Sequence, residues 1–206
     1  MIRKLFYGFV RSLLNAVFFG LYGLHVEGRE NIPKDRAIIV APNHKSYFDP
    51  PLIGVAFNTR IVHYMAKEEL FKNPLFGWLI RQFGTFPVKR GTVDRTAIRQ
   101  AVRELKAGNA LGIFPEGTRI KRDGLGRFHS GMASLAFMSG ASVMPVAVIG
   151  SMEMPHKNGP LAVLIGKPID VKRQKPSDEA IDALNEEVKN EIQKMTDDYL
   201  EHIKNA

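Results

Sequence analysis

Short unbroken apolar runs alternate along this chain with longer stretches whose apolar residues return at steps of three and four. The first kind reads as buried strand and the second as amphipathic helix. Strands are predicted over residues 26–28, 37–41, 61–66, 85–88, 110–114, 144–149 and 161–166, the first two on either side of a turn at 31–35. Helices are predicted over 48–57, 67–71, 74–83 and 131–140. Another starts near Asp94, carries Ala97, Ile98, Ala101, Val102 and Leu105 on one face, and stops at Gly108. The last begins at Ser177 and runs through Ile181, Leu184, Val188, Ile192, Met195, Tyr199 and Ile203, a stripe suited to packing on the domain or on a copy of itself. Strands alternating with helices predict an α/β fold, with a mixed, largely parallel sheet flanked by helices. In such folds ligand sites gather at the carboxyl ends of strands. No repeat or linker divides residues 25–206, which read as one domain.

Residues 1–24 read as a separate N-terminal amphipathic helix or helical hairpin. At helical period Lys4, Arg11, Asn15 and Tyr22 form a wet stripe, with Phe9, Phe18 and Phe19 on the greasy side. The uncharged run 12–24 is short of the ~20 residues a span needs, and Arg11 at mid-bilayer would cost at least ~2.5 kcal/mol. Lying in a membrane interface fits better than crossing it, and a helix that packs on the core is the other reading. No small-x-small cleavage site follows before Glu27, which argues against a signal peptide.

Chemistry concentrates just after predicted strands. Behind the run 37–41 stands Asn43-His44-Lys45-Ser46-Tyr47-Phe48-Asp49-Pro50. On one continuous helix, residues five apart face different ways, so a helix must begin between His44 and Asp49 for them to meet. Ser46 with Asp49 three residues on fits a capping-box-like start, and Pro50 suits a first turn with no donor to lose. A carboxylate on one imidazole nitrogen fixes the tautomer and leaves the other nitrogen free to take a proton from a hydroxyl. Lys89 and Arg90 beside Gly91, at another strand end, suit a phosphate. The strand over 110–114 delivers Pro115-Glu116-Gly117-Thr118-Arg119. His63, within a strand, reads as structural.

Composition narrows the chemistry. The 206 residues contain no cysteine, which removes a thiol nucleophile, a cysteine-bound zinc site and disulfides. The net charge of +8 is polarised: residues 176–206 hold nine acids against three bases, so the rest of the chain carries +14. Such a field suits anionic partners such as lipid surfaces or phosphorylated metabolites. No nucleic-acid signature accompanies it. His44, Asp49, His63 and Glu116 have the residue types of a metal set, but no tight ligand motif supports one.

Taken in order, the segments 43–50, 84–90 and 114–119, with Val143-Met144-Pro145-Val146 after them, resemble the four sequence blocks of the glycerolipid acyltransferase superfamily. The likeness is greatest to its bacterial 1-acyl-sn-glycerol-3-phosphate acyltransferases and covers roughly residues 26–170. That resemblance implies direct transfer of an acyl group from a thioester donor, coenzyme A- or acyl carrier protein-bound, to a lysophospholipid hydroxyl, with no further cofactor. It implies His44 as general base, oriented by Asp49. Lys89, Arg90, Gly117, Thr118 and Arg119 would bind substrate, and Glu116 would bond the glycerol or organise the arginines. Backbone donors near Gly117 would steady the oxyanion. It also implies work on an anionic membrane surface, at the cytoplasmic face. One departure stands out: Phe128-His129-Ser130-Gly131 has His129 where many members carry a lysine. The rival readings are another acceptor lysolipid or glycerol 3-phosphate, an ester or thioester hydrolase using Ser46, and a non-catalytic lipid-binding protein.

Overall fold

The computed structural model describes residues 2–89, 91, 93–156 and 158–205. Its seven strands are β1 (His25–Glu27), β2 (Ile38–Pro42), β3 (Val62–Lys67), β4 (Phe86–Val88), β5 (Ala110–Gly112), β6 (Ser142–Ile149) and β7 (Ala162–Ile165). They form one sheet in the order β1-β7-β6-β2-β5-β3-β4. All neighbours run parallel except β6 and β7. The predicted mixed, mostly parallel sheet is therefore found. Its first two strands are not partners, however: β1 lies at the far edge on β7, while β2 sits centrally between β5 and β6. A turn signal between two apolar runs fixes neither pairing nor direction, and here the chain crosses the sheet.

β2 and β6 are buried at every position, as strands covered on both faces must be. On one face α4 (Arg95–Lys106), α5 (Ser130–Ser139) and α6 (Asp178–Asn205) enclose a core around Ile39, Leu111 and Val143. α6 contributes Ile181, Leu184, Val188 and Ile192 to it, whereas Ile203 at the far end of the predicted stripe is exposed. On the other face α2 (Asp49–Ala56) buries Leu52, Ile53 and Val55 against Ile38, Val40 and Met144.

The N-terminal segment departs from expectation. α1 (Ile2–Asn15) passes into a π-helical turn over Ala16–Leu21, and Phe18 enters the second core, 2 % exposed. Phe18 is thus a core residue, not part of a lipid-facing side. Arg11 and Asn15 are half-buried rather than wet, and the side chain of Lys4 lies outside the described residues. The outward face instead shows Gly8, Phe9, Ser12, Leu13, Ala16 and Phe19, all uncharged. α1 also lies on α3 (Pro74–Gln82) and the residue after it, through Phe6 with Trp78 and Tyr7 with Phe83, each pair 5.4 Å between ring centres. Among the described residues no helix is long and apolar enough to cross a membrane.

Candidate active site

Because β2, β5, β3 and β4 run parallel, their carboxyl ends open on one edge, and the loops after them carry the candidate residues. β2 ends in Asn43, which is buried. Its side chain donates to the Val148 carbonyl (2.9 Å) and accepts from the Val148 amide (2.7 Å), fixing the departing chain to β6. His44 follows, and the chain turns into α2, whose first residue is Asp49.

The two side chains meet across that turn. His44 Nδ1 lies 2.7 Å from Asp49 Oδ2, and the same oxygen accepts from the amides of Lys45 (2.7 Å) and Ser46 (2.8 Å). Asp49 is fully buried at the N-terminus of α2, where backbone N–H groups converge on its carboxylate. An ionised Asp49 accepts the proton on Nδ1, so Nε2 is left with its lone pair. Only half of the expected capping box forms: Asp49 takes the Ser46 amide, while the Ser46 hydroxyl accepts from Phe48 N at 3.3 Å.

Glu116 holds the histidine from the other side. It is 2 % exposed, and its carboxylate accepts from the His44 amide and from the Gly126 amide, each at 2.6 Å. Both oxygens are therefore engaged with backbone, which places Glu116 under the site as a tie between two loops. The Ile120 amide donates to the His44 carbonyl (2.8 Å), so the backbone of His44 is bound at both its polar groups. Lys45 Nζ, its pKa lowered by burial against the opposing pull of Glu116 and Asp123, donates to the carbonyls of Arg122 and Gly124. The predicted exposed loop over 121–127 is thereby anchored at both ends of its turn.

Arg119 lies over the ring of Tyr47, 3.5 Å from guanidinium carbon to ring centre, and donates to its hydroxyl at 2.8 Å. Sequence reading passed over Tyr47; an aromatic residue between the His and the Asp was the available signal. Gly117 has φ +64°, and its amide donates to Phe114 O (3.0 Å), so this amide is committed to a turn and not to an oxyanion. A Cβ at Gly117 would approach the His129 ring at 3.1 Å, which puts His129 at the rim of the site beside Gly117 and Thr118. Lys89 and Thr118 are exposed. Arg90 lies outside the described residues. His63 faces Glu104 at 3.5 Å, away from the pair, and no metal-holding group of three His, Asp or Glu occurs among the described residues.

Comparison with known proteins bears on the family and the fold. A family model described as Acyltransferase matches residues 23–149. The 1-acyl-sn-glycerol-3-phosphate acyltransferase of Bacillus subtilis (strain 168) is 31 % identical over 193 residues, covering 92 % of this chain and 96 % of that one. The enzyme of the same description from Streptococcus pneumoniae (strain ATCC BAA-255 / R6) is 31 % identical over 202 residues, covering 95 % and 75 %. The crystal structure of the 1-acyl-sn-glycerophosphate (LPA) acyltransferase PlsC from Thermotoga maritima superimposes with a TM-score of 0.75 at 31 % identity, over 94 % of this chain and 81 % of that one. A sheet of this topology, a buried carboxylate on a histidine at the end of a central strand, and these matches together make the chain an enzyme of the acyltransferase family, to which it belongs.

Proposed function

We propose that the enzyme acylates the sn-2 hydroxyl of 1-acyl-sn-glycerol 3-phosphate from a thioester donor, giving phosphatidic acid for phospholipid synthesis. The observation that carries this reading is the 2.7 Å His44–Asp49 pair beside Arg119, on a chain similar over most of its length to proteins named 1-acyl-sn-glycerol-3-phosphate acyltransferase. His44 Nε2 accepts the proton as the hydroxyl oxygen attacks the thioester carbonyl. The tetrahedral intermediate then collapses with cleavage of the C–S bond, and the imidazolium returns its proton to the departing thiolate. Asp49 stabilises the imidazolium in between, a service typically worth ~10²–10⁴-fold with the base itself. Arg119, together with Lys89 and Arg90, receives the acceptor phosphate. Holding both reactants in place contributes as much as the proton transfer.

Both substrates are lipids or carry a lipid chain, and exposed apolar side chains on two helices support a surface for them. Phe9 (70 % exposed) and Leu13 on α1 and Leu75 (75 %), Phe76 and Trp78 (51 %) on α3 form an apolar face on two helices that touch through their rings. Lys72 and Arg81 flank it. Scattered exposed apolar residues are ordinary, but a face of this kind, aromatic and edged by cations, suits a lipid interface bearing anionic headgroups. Substrate then diffuses within the membrane to the strand ends. The acidic residues of α6 turn elsewhere.

His129 beside Gly117, where the resemblance expects a lysine, favours a second reading, in which the acceptor is a lysolipid with a different headgroup. Purified protein given mixed lysolipid acceptors and mixed thioester donors, with products identified by mass spectrometry, tests both. Phosphatidic acid as the dominant product supports the first reading. Acylation of another lysolipid supports the second, and free fatty acid alone would mean a hydrolase.

A further inference from the structure

Among the buried side-chain atoms with no hydrogen-bond partner among the described residues are Oδ1 of Asp49, in the pair itself, and the hydroxyl of Tyr64 on β3. Asp49 is fully buried and Tyr64 is 8 % exposed. The fold makes special room for this tyrosine. Its register partner on β5 is Gly112, where a Cβ would stand 2.2 Å from a carbon of the Tyr64 ring. That ring stacks on Phe114 (5.9 Å between centres, 18° between planes), and Phe114 stacks on His44 (3.9 Å, 26°). A ladder of three rings thus runs from the interior of the sheet to the imidazole.

Phenylalanine at position 64 would make the same stack without burying an unpaired hydroxyl. The hydroxyl therefore calls for an explanation, and an unpaired carboxylate oxygen in the same buried region supplies one. Resting on the reading of His44 as general base, we propose that Tyr64 is a positioning residue: its O–H donates through one buried water to Oδ1 of Asp49, while the Tyr64–Phe114 stack sets the plane of His44. Oδ2 of Asp49 already accepts three N–H donors, so Oδ1 is the oxygen with capacity left. The phenol feels the carboxylate: its pKa is raised well above the ordinary value, first by burial, then by the charge of Asp49 and by Tyr7. It stays neutral and a donor at physiological pH.

The groups around the pair can be named. The turn supplies His44, Asp49 and Lys45, whose ammonium is turned to Arg122 and Gly124. α1 supplies Tyr7, next to Arg11, and the loop after β5 supplies Glu116, occupied by the two amides. Every donor on Asp49 disperses its charge and weakens its hold on the imidazolium. Loss of the Tyr64 donor concentrates that charge on the pair, so the acid limb of kcat/KM must move to higher pH.

Tyr64→Phe in the full chain removes the O–H and keeps the ring. The imidazole titration of His44, followed by NMR without substrate, and the pH profile of kcat/KM are to be compared with wild type. Both midpoints are expected to rise by roughly 0.3–1 unit, the size of one hydrogen bond's effect on a pKa, with KM for each substrate little changed. Phe114→Leu, which leaves the hydroxyl in place and breaks the ladder, is expected to lower kcat without moving the titration. Superimposable titrations of Tyr64→Phe and wild type would overturn the proposal. So would an altered acyl-chain preference at an unchanged midpoint, which would assign the hydroxyl to the donor chain instead. Because the NMR titration needs no turnover, it succeeds or fails separately from the acyl-transfer reading.

Discussion

His44 is held by its backbone as firmly as by its ring, and Glu116 does most of that holding. Replacing Glu116 with glutamine sets an amide NH₂ against one of two backbone N–H donors that now find carboxylate oxygens at 2.6 Å. An unsatisfied buried donor costs about 1–3 kcal/mol. Glu116→Gln should therefore lower stability by that amount in urea unfolding, and, on the proposal that His44 is the base, should reduce kcat more than either KM. A variant with wild-type stability and a raised acceptor KM would return Glu116 to the substrate. Tyr47 gives a second prediction. Tyr47→Phe keeps the ring under Arg119 and Tyr47→Ala removes it; exposed cation–π contacts are worth about 0.5–1 kcal/mol, or roughly 2–5-fold. The acceptor KM should rise by about that factor for the alanine variant and less for phenylalanine, with the donor KM unaffected. The His44–Asp49 pairing was legible in the sequence, since the five-residue spacing only works if a helix starts between them, and Ser46 and Pro50 marked that start. Glu116 was legible as a buried-strand-end carboxylate but not in its partners, because the amides of His44 and Gly126 come from loops 72 and 10 residues away.

At the scale of elements, α1 shows what helical periodicity can and cannot tell. The period was there, but which face turns inward depends on what lies beneath, and the second core claims Phe18 while Phe9 and Leu13 stay outside. Phe18→Ala should cost about 3–5 kcal/mol, as large core truncations do. For the same reason removal of residues 1–24 strips Phe18 and Leu24 from the core, and the remainder should unfold at lower temperature rather than detach as an intact soluble domain. Surface variants are the cleaner test of the membrane face. Phe9→Ser with Trp78→Ser should leave thermal stability nearly unchanged and weaken sedimentation with anionic vesicles. Activity on membrane-borne substrate should fall more than activity on a dispersed short-chain analogue. If vesicle binding of that double variant matched wild type, the apolar face would have another purpose.

The whole molecule is a basic body with an acidic C-terminal helix, and vesicle binding should accordingly weaken as salt rises through the range where exposed charges are screened. The α/β architecture, the mixed sheet and the gathering of candidates at strand ends all followed from the alternation of apolar runs, because parallel strands need helical crossovers and buried faces. Strand neighbours did not follow: β1 pairs with β7 some 137 residues on, and only tertiary packing decides that. The central claim is that His44 removes the acceptor proton in a direct transfer. A single-turnover experiment with purified enzyme, an acyl thioester and 1-acyl-sn-glycerol 3-phosphate tests it most directly, with phosphatidic acid and free thiol quantified for wild type and for His44→Ala of verified fold. Wild type should form the two products in equal amounts and His44→Ala should form neither above the uncatalysed rate; near-normal product formation by the folded variant would contradict the account.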